Sequence, residues 1–106
     1  MKNIDKCTVL NLASLIAYQD GQIVSKTLSQ NNNVTLTLFS FDIDEEIGTH
    51  SSSGDALVQI LEGSAKVTID DVTYTLQEGQ AIILPAAVPH SVYALTKFKM
   101  LLTVIF

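Results

Sequence analysis

At 106 residues the chain (1–106) is the size of one domain, which excludes a two-domain catalytic architecture. Its 6 Lys, absence of Arg and 11 acidic residues give a net charge of −5, which argues against nucleic acid and anionic membranes as partners, because both need clustered positive charge. Without arginine there is no two-pronged side chain to clamp a carboxylate or phosphate, and with only 2 histidines, His50 and His90, few groups remain for metal or acid–base chemistry.

In chain order, Met1, Lys2 and Lys6 precede a partly apolar stretch from Cys7 to Tyr18. Asn11 and Ser14 interrupt it, Asp5 sits among the basic residues, and Asp20-Gly21 follows without a small-x-small cleavage site, so the stretch does not read as an export signal. No apolar run approaches the length of a membrane span. Cys7 has no internal partner, which fits an incidental thiol in a reducing cytoplasm. Asn11 is placed to cap a short amphipathic helix in which Leu12, Leu15 and Ile16 share a face, with Asp20-Gly21 ending it.

From Gln22 onward the signal is that of strands. Val, Ile and Thr supply 29 of the 106 residues, side chains that suit a pleated, half-buried surface. Ile23–Leu28 is a first candidate, and the polar loop 30–33 separates it from Val34–Leu38, which alternates apolar and polar residues strictly. Asp42–Glu46 reads as a solvated acidic connection. Short strands follow at Ile47–Ser52, Ala56–Leu61, Ala65–Ile69, Val72–Leu76, Ala81–Leu84, His90–Ala94 and Lys99–Phe106, divided by Ser, Gly, Asp and Pro turns. Many short strands at this spacing predict an all-β sandwich or barrel.

His50 ends one of these strands and His90 opens another, so both lie at strand mouths, where a barrel presents side chains to its cavity. Around them the spacing is specific. Gly63 closes a pattern G-x5-H-x-H-x3-4-E-x6-G with His50 at its first histidine, Ser52 at its second and Ala56 at its glutamate. Gly79, Pro85 and His90 fit G-x5-P-x-G-x2-H-x3-N, with Ala87 at the inner glycine and Ala94 at the asparagine. The 15 residues Ser64–Glu78 lie between the two patterns. In this register the chain from Val34 to Phe106 resembles a small single-domain cupin.

That resemblance implies a cupin-type double-stranded β-helix, a jelly-roll barrel of residues 34–106 preceded by a short helix and a strand within residues 1–33. It also implies a mouth where three histidines and a glutamate hold a divalent metal such as Fe, Mn, Ni or Zn. Only His50 and His90 keep such donors. Ser52 is a poor ligand, Ala56 none, and Asp55 is turned toward the opposite face unless the strand begins after it, so no tightly bound cofactor is expected. The mouth still reads as an apolar pocket for a small molecule, with His50, Ser52, Ala56, Val58, Ile60, His90 and Met100 as its candidate lining.

Two other functions compete with that reading: a metal-dependent dioxygenase or isomerase of a small metabolite, and a non-catalytic oligomeric module. A charged fraction of 16%, against a usual quarter or so, predicts a homodimer. The first strand is expected to cross to the partner, and outward-facing Leu57, Leu61 or Leu101 to meet it. Tyr93, facing away from His90, suits an interface, and Lys97 and Lys99 a solvated rim.

Overall fold

Alternating apolar residues organise nine strands in the computed structural model, which describes residues 1–106. In chain order they are β1 (Ile23–Gln30), β2 (Val34–Phe41), β3 (Glu46–His50), β4 (Asp55–Glu62), β5 (Ser64–Ile69), β6 (Val72–Gln77), β7 (Ala81–Leu84), β8 (His90–Ala94) and β9 (Phe98–Ile105). They pair antiparallel into two sheets, one ordered β1-β2-β9-β4-β7 and the other β3-β8-β5-β6. Strands distant in sequence are neighbours in both sheets, so the chain winds between them as a jelly roll. The all-β barrel expected from the sequence is the fold.

Alternation decides which side chains enter the barrel. Ala56, Val58 and Ile60 of β4 face inward and are buried, as are Phe98, Met100 and Val104 of β9. Phe41 and Phe98 stack within this core, their ring centroids 4.4 Å apart. Gly63, between β4 and β5, is required on two counts. Its φ of +77° favours glycine, and a Cβ there would lie 2.1 Å from the Lys97 carbonyl oxygen. Ala87, at the inner-glycine position, adopts φ +64° despite its methyl group, a conformation that costs about 1–2 kcal/mol without glycine. Its N–H donates to the Ser52 carbonyl at 2.7 Å, tying the loop before β8 to the turn after β3.

The short amino-terminal helix expected from the sequence is present as a single 3-10 turn, Leu12–Leu15, and the Asn11 side chain makes no capping bond. The segment crosses the outer face of the five-stranded sheet, where side chains of the sheet take its carbonyls. Lys99 Nζ donates to Ala13 O at 2.6 Å, Lys26 Nζ to Leu15 O at 3.4 Å, and Ser40 Oγ to Ala17 O at 2.8 Å. Carbonyls held from outside in this way substitute for the bonds a longer helix would make internally. Ile16, Leu28 and Leu38 form a second core under the strap, with Leu61 and Leu101 packed against it.

Leu61 and Leu101, expected at an interface, are therefore covered by their own chain, and Leu57 keeps an outward position. Lys99 is not a solvated rim residue: it is 8% exposed, because the strap lies over the face to which alternation sends it. Its Nζ is 3.8 Å from Glu62 Oε2 and 4.7 Å from the centroid of the Tyr18 ring. Tyr18 in turn donates its hydroxyl proton to Glu62 Oε2. β1 pairs with β2 of the same chain, with a bulge between Thr27 and Ser29. The acidic connection after β2 is more than a solvated run, since Asp42 accepts the N–H groups of Gly21 and Ile43. These two bonds hold its carboxylate below the usual range.

Burial, then the hydrogen bond and charge of Glu62, raise the Tyr18 phenol well above its ordinary range. An unfolded phenol ionises near pH 10, where the folded one still holds its proton, so this contribution is present below pH 10 and is lost as pH rises further. Thermal unfolding of the chain is therefore expected to show stability falling above about pH 10. Tyr18→Phe is expected to be less stable at neutral pH and to show a smaller alkaline loss, as read from melting temperatures across pH 8–11.

Candidate functional site

The two histidines, 40 residues apart, meet because β3 and β8 are neighbouring strands. After an irregularity that follows Ile47, the register sets His50 opposite His90. Their Nε2 atoms are 3.3 Å apart, and the rings cross at 74° with centroids 4.4 Å apart. His90 is buried and His50 exposed, so one ring faces the barrel interior while the other borders solvent.

The hydrogen-bond partners of the outer nitrogens fix the tautomers. His50 Nδ1 is 2.9 Å from Gly48 O, and His90 Nδ1 is 3.2 Å from Val88 O. A carbonyl oxygen only accepts, so each Nδ1 carries a proton and donates it. In the neutral rings each Nε2 is then a bare acceptor. The two Nε2 atoms meet in hydrogen-bond contact at 3.3 Å, close enough for one proton to be held between them. Burial, and then the charge of His50, lower the His90 pKa below the usual histidine value, against the opposing bond to Val88.

Behind the pair lies a cavity of about 70 Å³. Ala56 and Val58 of β4 and Met100 of β9 line it together with His50, Ser52 and His90. Ile60 shares their inward face but is buried deeper in the core and does not reach the cavity wall. Ile47, Leu84, Val92, Leu102 and Val104 complete the lining. For Val92, Leu102 and Val104 the signal was present in the alternation of β8 and β9, whereas Leu84 sits at the end of a strand too short to display a period.

Ser52 lies beyond the end of β3, so the alternation predicted across residues 50 and 52 stops at His50. Its hydroxyl donates to Gly54 O at 2.7 Å and accepts from Gly54 N at 3.3 Å, a local turn that competes with strand continuation. Asp55 is exposed and accepts the Ala86 N–H at 2.8 Å, so it braces the loop before β8. Tyr93 donates to Asp44 Oδ1 at 2.6 Å, with Lys66 Nζ 5.0 Å from its ring centroid. Cys7 is exposed, free and distant from this chemistry in sequence.

The metal implied by the family pattern can be tested against these donors. The 3.3 Å between the Nε2 atoms matches adjacent ligands on a tetrahedral ion with Zn–N bonds of about 2.0–2.1 Å. Yet no three His, Cys, Asp or Glu side chains cluster, Ser52 is occupied by Gly54, and Asp55 by Ala86. A donor set of two falls short of the three protein ligands of a catalytic zinc or non-haem iron centre. The residues present do not fit a resident metal.

Comparison with known proteins supplies the remaining observations. The family profile described as Cupin domain matches residues 37–106. A conserved protein of unknown function from Streptococcus pyogenes is 47% identical over 97% of this chain and 90% of its own, with a TM-score of 0.95. A cupin superfamily protein from Desulfitobacterium hafniense is 34% identical over 99% of this chain and 96% of its own, also with a TM-score of 0.95. A salicylate 1,2-dioxygenase variant from Pseudoaminobacter salicylatoxidans, solved with gentisate, is 19% identical over 78% of this chain and 25% of its own, with a TM-score of 0.73. That last likeness is one of fold alone. No curated protein matches the chain.

Proposed function

Because the chain belongs to the cupin domain family, we propose that it is a small-molecule-binding cupin whose site is the cavity under His50 and His90. The observation that carries this reading is the combination of an apolar cavity with a pair of touching imidazoles at its entrance, the general profile of a ligand site. A metal-dependent oxygenase has less support, since the donor set holds two histidines and no carboxylate. The barrel works as a homodimer. Supporting this are the low charged fraction and the exposed side chain of Ile83, which lies opposite Leu57 on the outer face of β7 and β4.

Dissolved xenon, which occupies apolar cavities whatever polar groups border them, is expected to shift the methyl resonances of Val58, Leu102 and Val104. Ala56→Val, which adds volume to the cavity wall, is expected to abolish those shifts while leaving the rest of the spectrum in place. Wild-type methyl resonances that stay unmoved under xenon would contradict the cavity reading. For the assembly, sedimentation velocity is expected to give a dimer for the wild type and a monomer for Ile83→Lys, because a charge on a desolvated apolar face is costly. A monomeric wild type at all concentrations refutes the dimer.

A further inference from the structure

Resting on that reading of the cavity, we propose that its ligand is an uncharged hydrocarbon of about three carbon atoms, held by apolar contact alone and carrying no polar head group. The argument begins with the polar side chains of the lining, His50, Ser52 and His90, each of which is engaged within the chain. The two Nδ1 atoms donate to Gly48 O and Val88 O, and the two Nε2 atoms are in contact with each other at 3.3 Å. The Ser52 hydroxyl both donates to and accepts from Gly54. Throughout the molecule, no buried side-chain nitrogen or oxygen lacks a hydrogen-bond partner. No side chain at the entrance is therefore left to recognise a head group.

Charge is excluded on separate grounds. No Lys, Asp or Glu lines the cavity and the chain has no Arg, so neither a carboxylate nor an ammonium would meet a counter-charge there, and a buried charge without a partner is strongly disfavoured. A neutral hydroxyl fares little better. It would give up its bonds to water for a wall that offers none in return, a loss of at least about tenfold in affinity relative to a methyl group of similar size.

What remains is apolar contact, and the inner wall is made for it. Val58, Val92, Met100, Leu102 and Val104 enclose the space with aliphatic groups and one thioether, and the unbranched Met100 side chain adapts readily to the shape of whatever packs on it. Volume sets the length. About 70 Å³ is roughly half the ~150 Å³ of a cavity that admits the six carbons of benzene, which scales to about three carbons.

The test is a methyl-shift titration of the whole chain at pH 8 with propane, with polar or charged molecules of closely matched size (ethanol, ethylammonium chloride and sodium acetate), and with cyclohexane as an oversized hydrocarbon. Expected are saturable shifts at Val58, Leu102 and Val104 with propane, binding at least about tenfold weaker with ethanol, and no saturation with ethylammonium, acetate or cyclohexane. Ala56→Val should remove the propane shifts as it removes those of xenon. Any polar or charged probe that binds as tightly as propane overturns the proposal. So does cyclohexane binding of the same strength, or propane shifts that persist in Ala56→Val. Entry of xenon without binding of propane overturns the ligand class and leaves the cavity reading standing. Silence from both gases sinks both.

Discussion

Two backbone carbonyls, Gly48 O and Val88 O, hold the imidazoles of His50 and His90 by their Nδ1–H groups, and most of what the barrel mouth can do depends on these bonds. A neutral imidazole is both donor and acceptor until one of its nitrogens is committed. Here the same nitrogen is committed on both rings. The two Nε2 atoms are thereby brought into hydrogen-bond contact at 3.3 Å, close enough for one proton to be held between them.

The rest of the fold keeps this pair in place. The β3–β8 pairing brings residues 50 and 90 into register, and the loop before β8 is fastened twice, by Ala87 N to Ser52 O and by Ala86 N to Asp55 Oδ1. Ala87 remains in a left-handed conformation there, a strain that surrounding contacts must offset. On the opposite side of the five-stranded sheet, the amino-terminal strap buries Leu28, Leu38 and Lys99, so the outer face is apolar and covered at one end and open around Leu57 and Ile83 at the other. This division separates a face sealed by the chain itself from one left exposed.

Much of this was legible in the sequence, for reasons that differ between parts. The barrel followed from alternation and turn residues. The meeting of the two histidines did not follow from periodicity; it came from the register of Gly63, Gly79, Pro85 and His90, a long-range spacing. What stayed hidden was tertiary or finer than the backbone. Ser52 looked like a strand residue because its preference for a local turn with Gly54 leaves no mark on an alternating pattern. The helix signal at Asn11 and Leu12 was real but local, and Lys99, Lys26 and Ser40, far away in sequence, took over carbonyls of the segment. Lys99 reads as a solvated charge on any one-dimensional pattern. The alternation of β4 turned Asp55 away from the mouth, and its bond to Ala86 needed the loop geometry to be seen. The tautomers, on which the chemistry turns, have no sequence signature.

The central claim concerns two protons and can be read from the nitrogen nuclei that carry or lack them. A long-range proton–nitrogen correlation spectrum of the ligand-free chain at pH 8 is predicted to show both His50 and His90 with protonated, pyrrole-like Nδ1. An unprotonated Nδ1 on either ring would contradict the account, because that ring would no longer be held by its backbone carbonyl.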